Sequence, residues 1–377
     1  MFENLSYSQL QQYWWIIISC IVAILSFLLF VQGGQTLLNS LSNNETEKTI
    51  IVNSLGRKWE FTFTTLVTFA GSMFAAFPKF YATSFGGAYW LWIAILFCFV
   101  IQAVSYEYRK KPSNLLGSKV YETFLFINGS IGVFLLGIMI ATFYTGSQFK
   151  LTGNFKQVEW LNPFHGLEAI LNIHNVTLGL ALVFLARILG AQYIINTVSN
   201  ENIEKKAAYQ VKINSVLFLL FFISFIILLF SRPGVSIDNN GNAFLEKTKY
   251  LKNMINSFYI IIFFLLGVVN ILLGIWMTLF TKLNKKSIWF SGIGTILTVF
   301  SLFIMAGFNN TAFYPSTADI QSSLTLQNSS ASKYTLIVMS YVSLLLPLVF
   351  WYIYYTWKAI NKKPLSISEI EQEEHKY

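Results

Sequence analysis

Long apolar runs separated by short polar gaps organise this chain from end to end. Runs of about 20 apolar residues, enough to cross a ~30 Å hydrocarbon layer as a helix, recur nine times. They lie near residues 13–36, 60–78, 84–106, 120–144, 166–196, 212–231, 256–281, 287–308 and 334–358. The pattern predicts an all-α polytopic membrane protein, one integral membrane domain over residues 1–377. The first run has no Lys or Arg before it and no small-residue cleavage site after it, so it reads as a span and not a signal peptide. Two long loops remain, 232–252, which opens on Pro233-Gly234, and 309–333. Residues 364–377, with Glu369, Glu371, Glu373 and Glu374, are expected to form a solvated tail.

Composition strengthens this picture. Of 377 residues 55% are hydrophobic and 11% charged, against about 25% charged in soluble domains. The mean hydropathy is +0.56. A net charge of +9 would suit nucleic acid on a soluble protein. Here Lys and Arg gather in alternate loops, which sets orientation and argues against a nucleic-acid partner. With the amino terminus outside and the carboxyl terminus in the cytoplasm, cytoplasmic segments hold 18 of the 26 Lys and Arg residues. Cys20 and Cys98 both lie in apolar runs, so neither a disulfide framework nor a CxxC metal pair is expected.

Ionisable groups inside spans point to function. Glu60 opens the second run, and Thr64 and Thr68 follow on the same helical face, a polar stripe about 12 Å long. A carboxylate followed by hydroxyls can hold water and pass protons; such threonines can equally bond back to their own helix carbonyls. Glu107 closes the third run and Glu122 opens the fourth, which puts three carboxylates at one depth on the cytoplasmic side. Each can also be an ion-paired helix end, with Arg109 or Lys119 as partner. The fifth run carries His165, Glu168 and His174 near its outer end and Arg187 toward its inner end. His165 and Glu168 are spaced to touch on a helix, whereas His165 and His174 would face opposite ways. Three histidines in all make a self-sufficient multi-haem protein improbable, because transmembrane haems are usually held by axial His or Met. No metal site and no nucleotide-binding or hydrolase motif is present.

Several motifs, in order along the whole chain, resemble cytochrome bd quinol oxidase subunit II. They are Glu45 to Ser54 followed by Trp59-Glu60; Gly71-Ser72-Met73-Phe74-Ala75-Ala76-Phe77-Pro78; Tyr106-Glu107-Tyr108-Arg109; Thr152-Gly153-Asn154-Phe155 with Leu161-Asn162-Pro163-Phe164; and Phe313-Tyr314-Pro315-Ser316 with Ser323-Leu324-Thr325, Ser329 to Ser332 and Tyr334-Thr335-Leu336. The resemblance implies two four-helix bundles plus one peripheral helix. It implies a bacterial cytoplasmic (inner) membrane heterodimer whose subunit I carries two b-type haems, one d-type haem and the site of quinol oxidation. This chain would ligate no haem, would stabilise subunit I and would help bring cytoplasmic protons to the oxygen-reducing site. Membrane lipid, the quinol pool and small single-helix accessory subunits are the further partners such a complex admits, and a structural quinone or lipid could sit among the aromatic side chains. Glu60, Glu107 and Glu122 stand where the family usually carries aspartate. Gln32 and Gln35 stand where it carries acids, and an amide cannot release a proton near neutral pH. A stand-alone proton-coupled secondary transporter is the rival reading, though no pair of inverted repeats with broken helices is visible.

Overall fold

The computed structural model describes residues 2–112, 114–153, 157–238, 240–282 and 284–360; the tail at 364–377 lies outside the described residues. The chain is helical, in the order α1 (Tyr7–Leu28), α2 (Phe30–Gln35), α3 (Leu38–Leu41), α4 (Glu45–Gly56), α5 (Trp59–Ala76), α6 (Pro78–Tyr81), α7 (Tyr89–Tyr108), α8 (Ser118–Ile127), α9 (Val133–Thr145), α10 (Ile173–Thr197), α11 (Glu201–Ser231), α12 (Lys249–Asn256), α13 (Phe258–Phe280), α14 (Ser287–Gly307), α15 (Leu326–Ser329), α16 (Lys333–Ser343) and α17 (Leu346–Ile360). Among the described residues eight helical stretches are long and apolar enough to cross a membrane. The 18-residue α5, about 27 Å long, lies where a further span was expected and is long enough to be one, but Glu60, Thr62, Thr64, Thr65 and Thr68 make it less apolar than the eight.

Local chemistry explains where the spans depart from the apolar runs. Ser6 and Gln9 form a reciprocal capping box, which starts α1 at Tyr7 instead of near residue 13. Asn200 accepts from the backbone N–H groups of Asn202 and Ile203, so α11 begins at Glu201, well before 212, with Glu201 and Glu204 complementing the positive helix end. The expected helix at 166 does not form. Gly166 has φ 98° and Leu167–Leu171 is a 3-10 turn, and α10 starts at Ile173, where the Asn172 side chain caps it. A π-helical segment, Ala82–Gly87, precedes α7 and delays its start to Tyr89. The last span breaks between α16 and α17 because Pro347 lacks the N–H that the Ser343 carbonyl would receive.

The spans pack as two groups. α1–α2, α5, α7 and α8–α9 form one; α10, α11, α13 and α14 form the other, and they meet along α1–α14, α9–α10 and α2–α10. The peripheral span is α16–α17, with only 18% of its most apolar stretch buried. At the α2–α10 crossing a Cβ on Gly33 would lie 1.8 Å from the Ala186 carbonyl oxygen, so only glycine lets the two backbones approach this closely. The apolar core is densest where Trp15 meets Phe77, Phe303 and Phe313, with ring centroids 4.7–5.9 Å apart. Val216, Leu220, Ile223 and Ile227 are exposed at helical spacing along α11, the signature of a lipid-facing side.

One end of the bundle carries two antiparallel hairpins, β1 (Phe149–Thr152) with β2 (Gln157–Trp160), and β3 (Gly234–Ile237) with β4 (Ala243–Glu246). The 309–332 loop ties them down through Ala312 N–H to the Val235 carbonyl and Ser147 N–H to the Pro315 carbonyl, both 3.0 Å. Glu60, Glu107 and Glu122 lie at the opposite end.

Candidate functional site

The start of α5, the end of α7 and the start of α8 bring Glu60, Glu107 and Glu122 to one end of the first helix group, but into two different settings. Glu60 and Glu107 line one open cleft of about 340 Å³ together with Trp59, Ala103, Val104, Tyr106 and Tyr108. Glu60 is exposed and has no ion-pair partner among the described residues. The Glu107 side chain is 58% exposed and pairs with Lys111 one turn on. That hydrogen bond holds the Lys111 ammonium above its ordinary pKa. Lys111 also sits 4.6 Å above the Tyr108 ring.

Glu122 is sealed away from the cleft. It is 6% exposed, and Arg109 is 2% exposed. Arg109 donates to Glu122 Oε1 from Nη2 at 2.7 Å and from Nε at 3.2 Å. Lys48 Nζ reaches Glu122 Oε2 at 3.0 Å. Glu45 completes the set, 3.3 Å from Arg109 and 3.4 Å from Lys48. Two cations and two carboxylates thus balance, binding α4, α7 and α8 together. A buried pair of this kind is costly to break, because the survivor is left as an uncompensated charge.

Tyr106 joins the cleft to the interior. Its ring lies parallel to Trp59 at 5.9 Å, and its hydroxyl accepts from Gln35 Nε2 at 2.9 Å. One turn earlier on α2, Gln32 Nε2 donates to Gln102 Oε1 at 3.3 Å. Both glutamines are fully buried, neutral amides bonded to α7.

Thr64 and Thr68 share the outward face of α5 with Glu60. Their hydroxyl protons are committed to the helix: Thr64 donates to the Glu60 carbonyl and Thr68 to the Thr64 carbonyl, each at 2.8 Å. Only their oxygen lone pairs face outward. His165 and Glu168 do not touch as helical neighbours, because no helix runs through them. His165 has φ 39°, places Nδ1 3.0 Å from the Gly87 carbonyl and lies 4.5 Å from the Tyr89 ring. Glu168 instead accepts from Gly166 N–H at 2.8 Å. Each holds a turn at the end opposite the cleft. No grouping of three or more His, Cys, Asp or Glu side chains suited to a metal exists among the described residues.

The sequence put Arg109 forward as a partner for these acids, but singled out Glu45, Lys48 and Tyr106 only as parts of motifs, with no contact assigned, and Gln102 not at all. The only local signal was the Glu45–Lys48 spacing on one helix face. The rest depends on α4 folding back against α8, which no periodicity reveals.

Comparisons with known proteins give the family of the chain. Residues 10–360 match the family model described as cytochrome bd terminal oxidase subunit II. The chain is 26% identical to cytochrome bd-I ubiquinol oxidase subunit 2 of Escherichia coli (strain K12) over 397 residues, covering 98% of this chain and 99% of that protein. It is 27% identical to cytochrome bd ubiquinol oxidase subunit 2 of Bacillus subtilis (strain 168) over 337 residues, covering 86% and 88%. The bd oxidase structure from Geobacillus thermodenitrificans superposes with a TM-score of 0.63 at 14% identity, covering 94% of this chain and 99% of that one, which speaks for the fold alone. The chain belongs to the cytochrome bd terminal oxidase subunit II family.

Proposed function

We propose that the chain works as the non-haem-ligating subunit of a quinol:dioxygen oxidoreductase in a bacterial inner membrane. Its amino terminus lies outside and its cleft end faces the cytoplasm, and it supports a haem-bearing subunit I. The observation that carries the finer reading is that Glu60 and Glu107 share one open cleft. Reduction of dioxygen to water consumes protons, and an exposed carboxylate without an ion partner can take them up and pass them on. Glu60 is the entry group and Glu107 its neighbour across the cleft. Glu122, with Arg109, Lys48 and Glu45, holds α4, α7 and α8 in the register that forms the cleft. The haems, two b-type and one d-type, belong to subunit I and supply the electron chemistry.

The test is made on the intact complex purified in mild detergent. A larger haem-bearing polypeptide should accompany the chain, with a d-type band in the reduced-minus-oxidised spectrum. Glu60→Gln and Glu107→Gln should keep that spectrum and lose quinol oxidase turnover. Full turnover in both variants would remove the proton-entry role, and a colourless chain without a partner would remove the oxidase reading altogether.

A further inference from the structure

Arg187 places a full charge well inside α10. It lies ten residues, about 15 Å, before the helix end at Thr197, and fourteen residues, about 21 Å, after Ile173. It also closes the surface stripe of that helix. Ile173, Val176, Leu180, Val183 and Arg187 follow at three- and four-residue spacing and are all at least partly exposed, whereas residues 188–195 are buried. A charge at this depth on a half-buried helix face is costly and calls for a partner. Among the described residues Arg187 has none: its Nε is buried without an acceptor, and no carboxylate, carbonyl or hydroxyl bonds its guanidinium.

The interior of the chain does not supply that partner. Gln32 and Gln35 of α2 each keep an unbonded amide oxygen, but both point to α7, where they bond Gln102 and Tyr106. Gly33 between them is the residue that lies against α10. Nor is the lipid headgroup layer within easy reach. A helical side chain leaves its backbone tilted toward the helix amino terminus, which for Arg187 is away from the nearer membrane surface. An acceptor must therefore come from another polypeptide at the same depth.

We propose that Arg187 is the docking point for a transmembrane helix of another chain, packed along the partly exposed α10 stripe, whose Asp or Glu carboxylate pairs with the guanidinium. Charge complementarity selects this occupant. One cation at the end of an apolar stripe fits a helix that is apolar except for one carboxylate, and the planar fork of arginine suits bidentate pairing with it. This face is carried by α10 and is separate from the α5–α7 cleft, so it stands or falls independently of proton entry.

The experiment places a photo-crosslinking benzoylphenylalanine at Leu180 in the complex purified from its own membrane. Mass spectrometry then identifies the captured peptide. A transmembrane segment carrying Asp or Glu is expected, with capture falling at least tenfold in Arg187→Glu and retained in Arg187→Lys. Changing the captured carboxylate to Lys in the Arg187→Glu background should restore capture. If Arg187→Glu fails to assemble with its haem partner, Arg187→Gln, neutral and nearly as long, makes the same comparison. Capture of phospholipid only, capture of nothing, or unchanged capture in the Glu and Gln variants would overturn the proposal.

Discussion

Glu107 and Glu122 flank one short connection between α7 and α8, yet the first ends in an open cleft and the second in a sealed ion cluster. Glu107 and Glu60 face water, where a carboxylate keeps its hydration and can exchange a proton. Glu122 has given up its hydration for Arg109 and Lys48. The same functional group therefore serves exchange in one place and architecture in the other. The difference comes from burial and counter-charge, not from sequence position or membrane depth. A carboxylate with two cations at contact distance is held ionised, and one held so firmly is a poor proton carrier.

The sharpest way to break this contrast is to remove one member of the cluster. Glu122→Ala or Arg109→Met should destabilise the purified chain by up to about 3–5 kcal/mol, since each unbalances the charge of the buried cluster and takes one counter-ion from its survivors. A thermal melt of the detergent-solubilised complex reads this directly. A loss below about 1 kcal/mol would mean that water reaches the cluster, and Glu122 would rejoin the proton candidates. Glu60→Gln should do the opposite. Its stability should stay within about 0.5 kcal/mol of the parent, as for most surface changes. Turnover should fall about tenfold, equivalent to about 1.4 kcal/mol at the barrier. Glu60→Asp should recover most of that turnover.

Glu246 at the opposite end supplies an intermediate case, paired but partly exposed. Hydrogen bonds from Lys252 and Lys249 pull its pKa from 4.5 to about 2, with the side chain 23% exposed. A depressed carboxylate stabilises the fold above its ordinary pKa and loses that contribution as pH falls. The β3–β4 hairpin should therefore hold above about pH 4.5 and loosen progressively toward pH 2. Screening at a partly exposed site limits the effect to about 1 kcal/mol. Hydrogen exchange across residues 234–246 measures it, and Glu246→Gln should remove the strand-end part of the pH dependence, leaving that of Asp238 in the turn, whose carboxyl the Asn242 backbone N–H also holds below its ordinary pKa.

Much of the fold was legible in the apolar pattern because a bilayer imposes length. Nine spans were expected, and eight long apolar helices plus α5 are present. The boundaries were less legible, since the caps at Ser6, Asn172 and Asn200 and the break at Pro347 depend on single side chains. The site was only half legible. Depth counting put three carboxylates at one end but could not sort them. The sorting depends on α4 folding back so that Lys48 meets Glu122 and Glu45 meets Arg109, contacts between residues 74 and 64 positions apart. His165 and Glu168 misled for a related reason: a helix was extended through Gly166, whose φ of 98° ends any such continuation.

Thr64 and Thr68 carry the smallest expected effect and the finest test of the contrast. On α5 they extend the exposed face of Glu60, and a polar stripe there could pass protons deeper into the membrane. Yet each hydroxyl proton is bonded to a carbonyl four residues back, and a relay must release one proton as it takes another. Valine keeps the β-branched shape and nearly the same helix preference, so Thr64→Val with Thr68→Val should shift stability by no more than about 0.5 kcal/mol. If Glu60 hands its proton sideways across the cleft, turnover of the double variant should stay within about twofold of the parent, a change of about 0.4 kcal/mol at the barrier. A loss as large as that of Glu60→Gln would show that the hydroxyls turn outward during turnover. The working path would then run along α5, with Glu107 a bystander paired to Lys111.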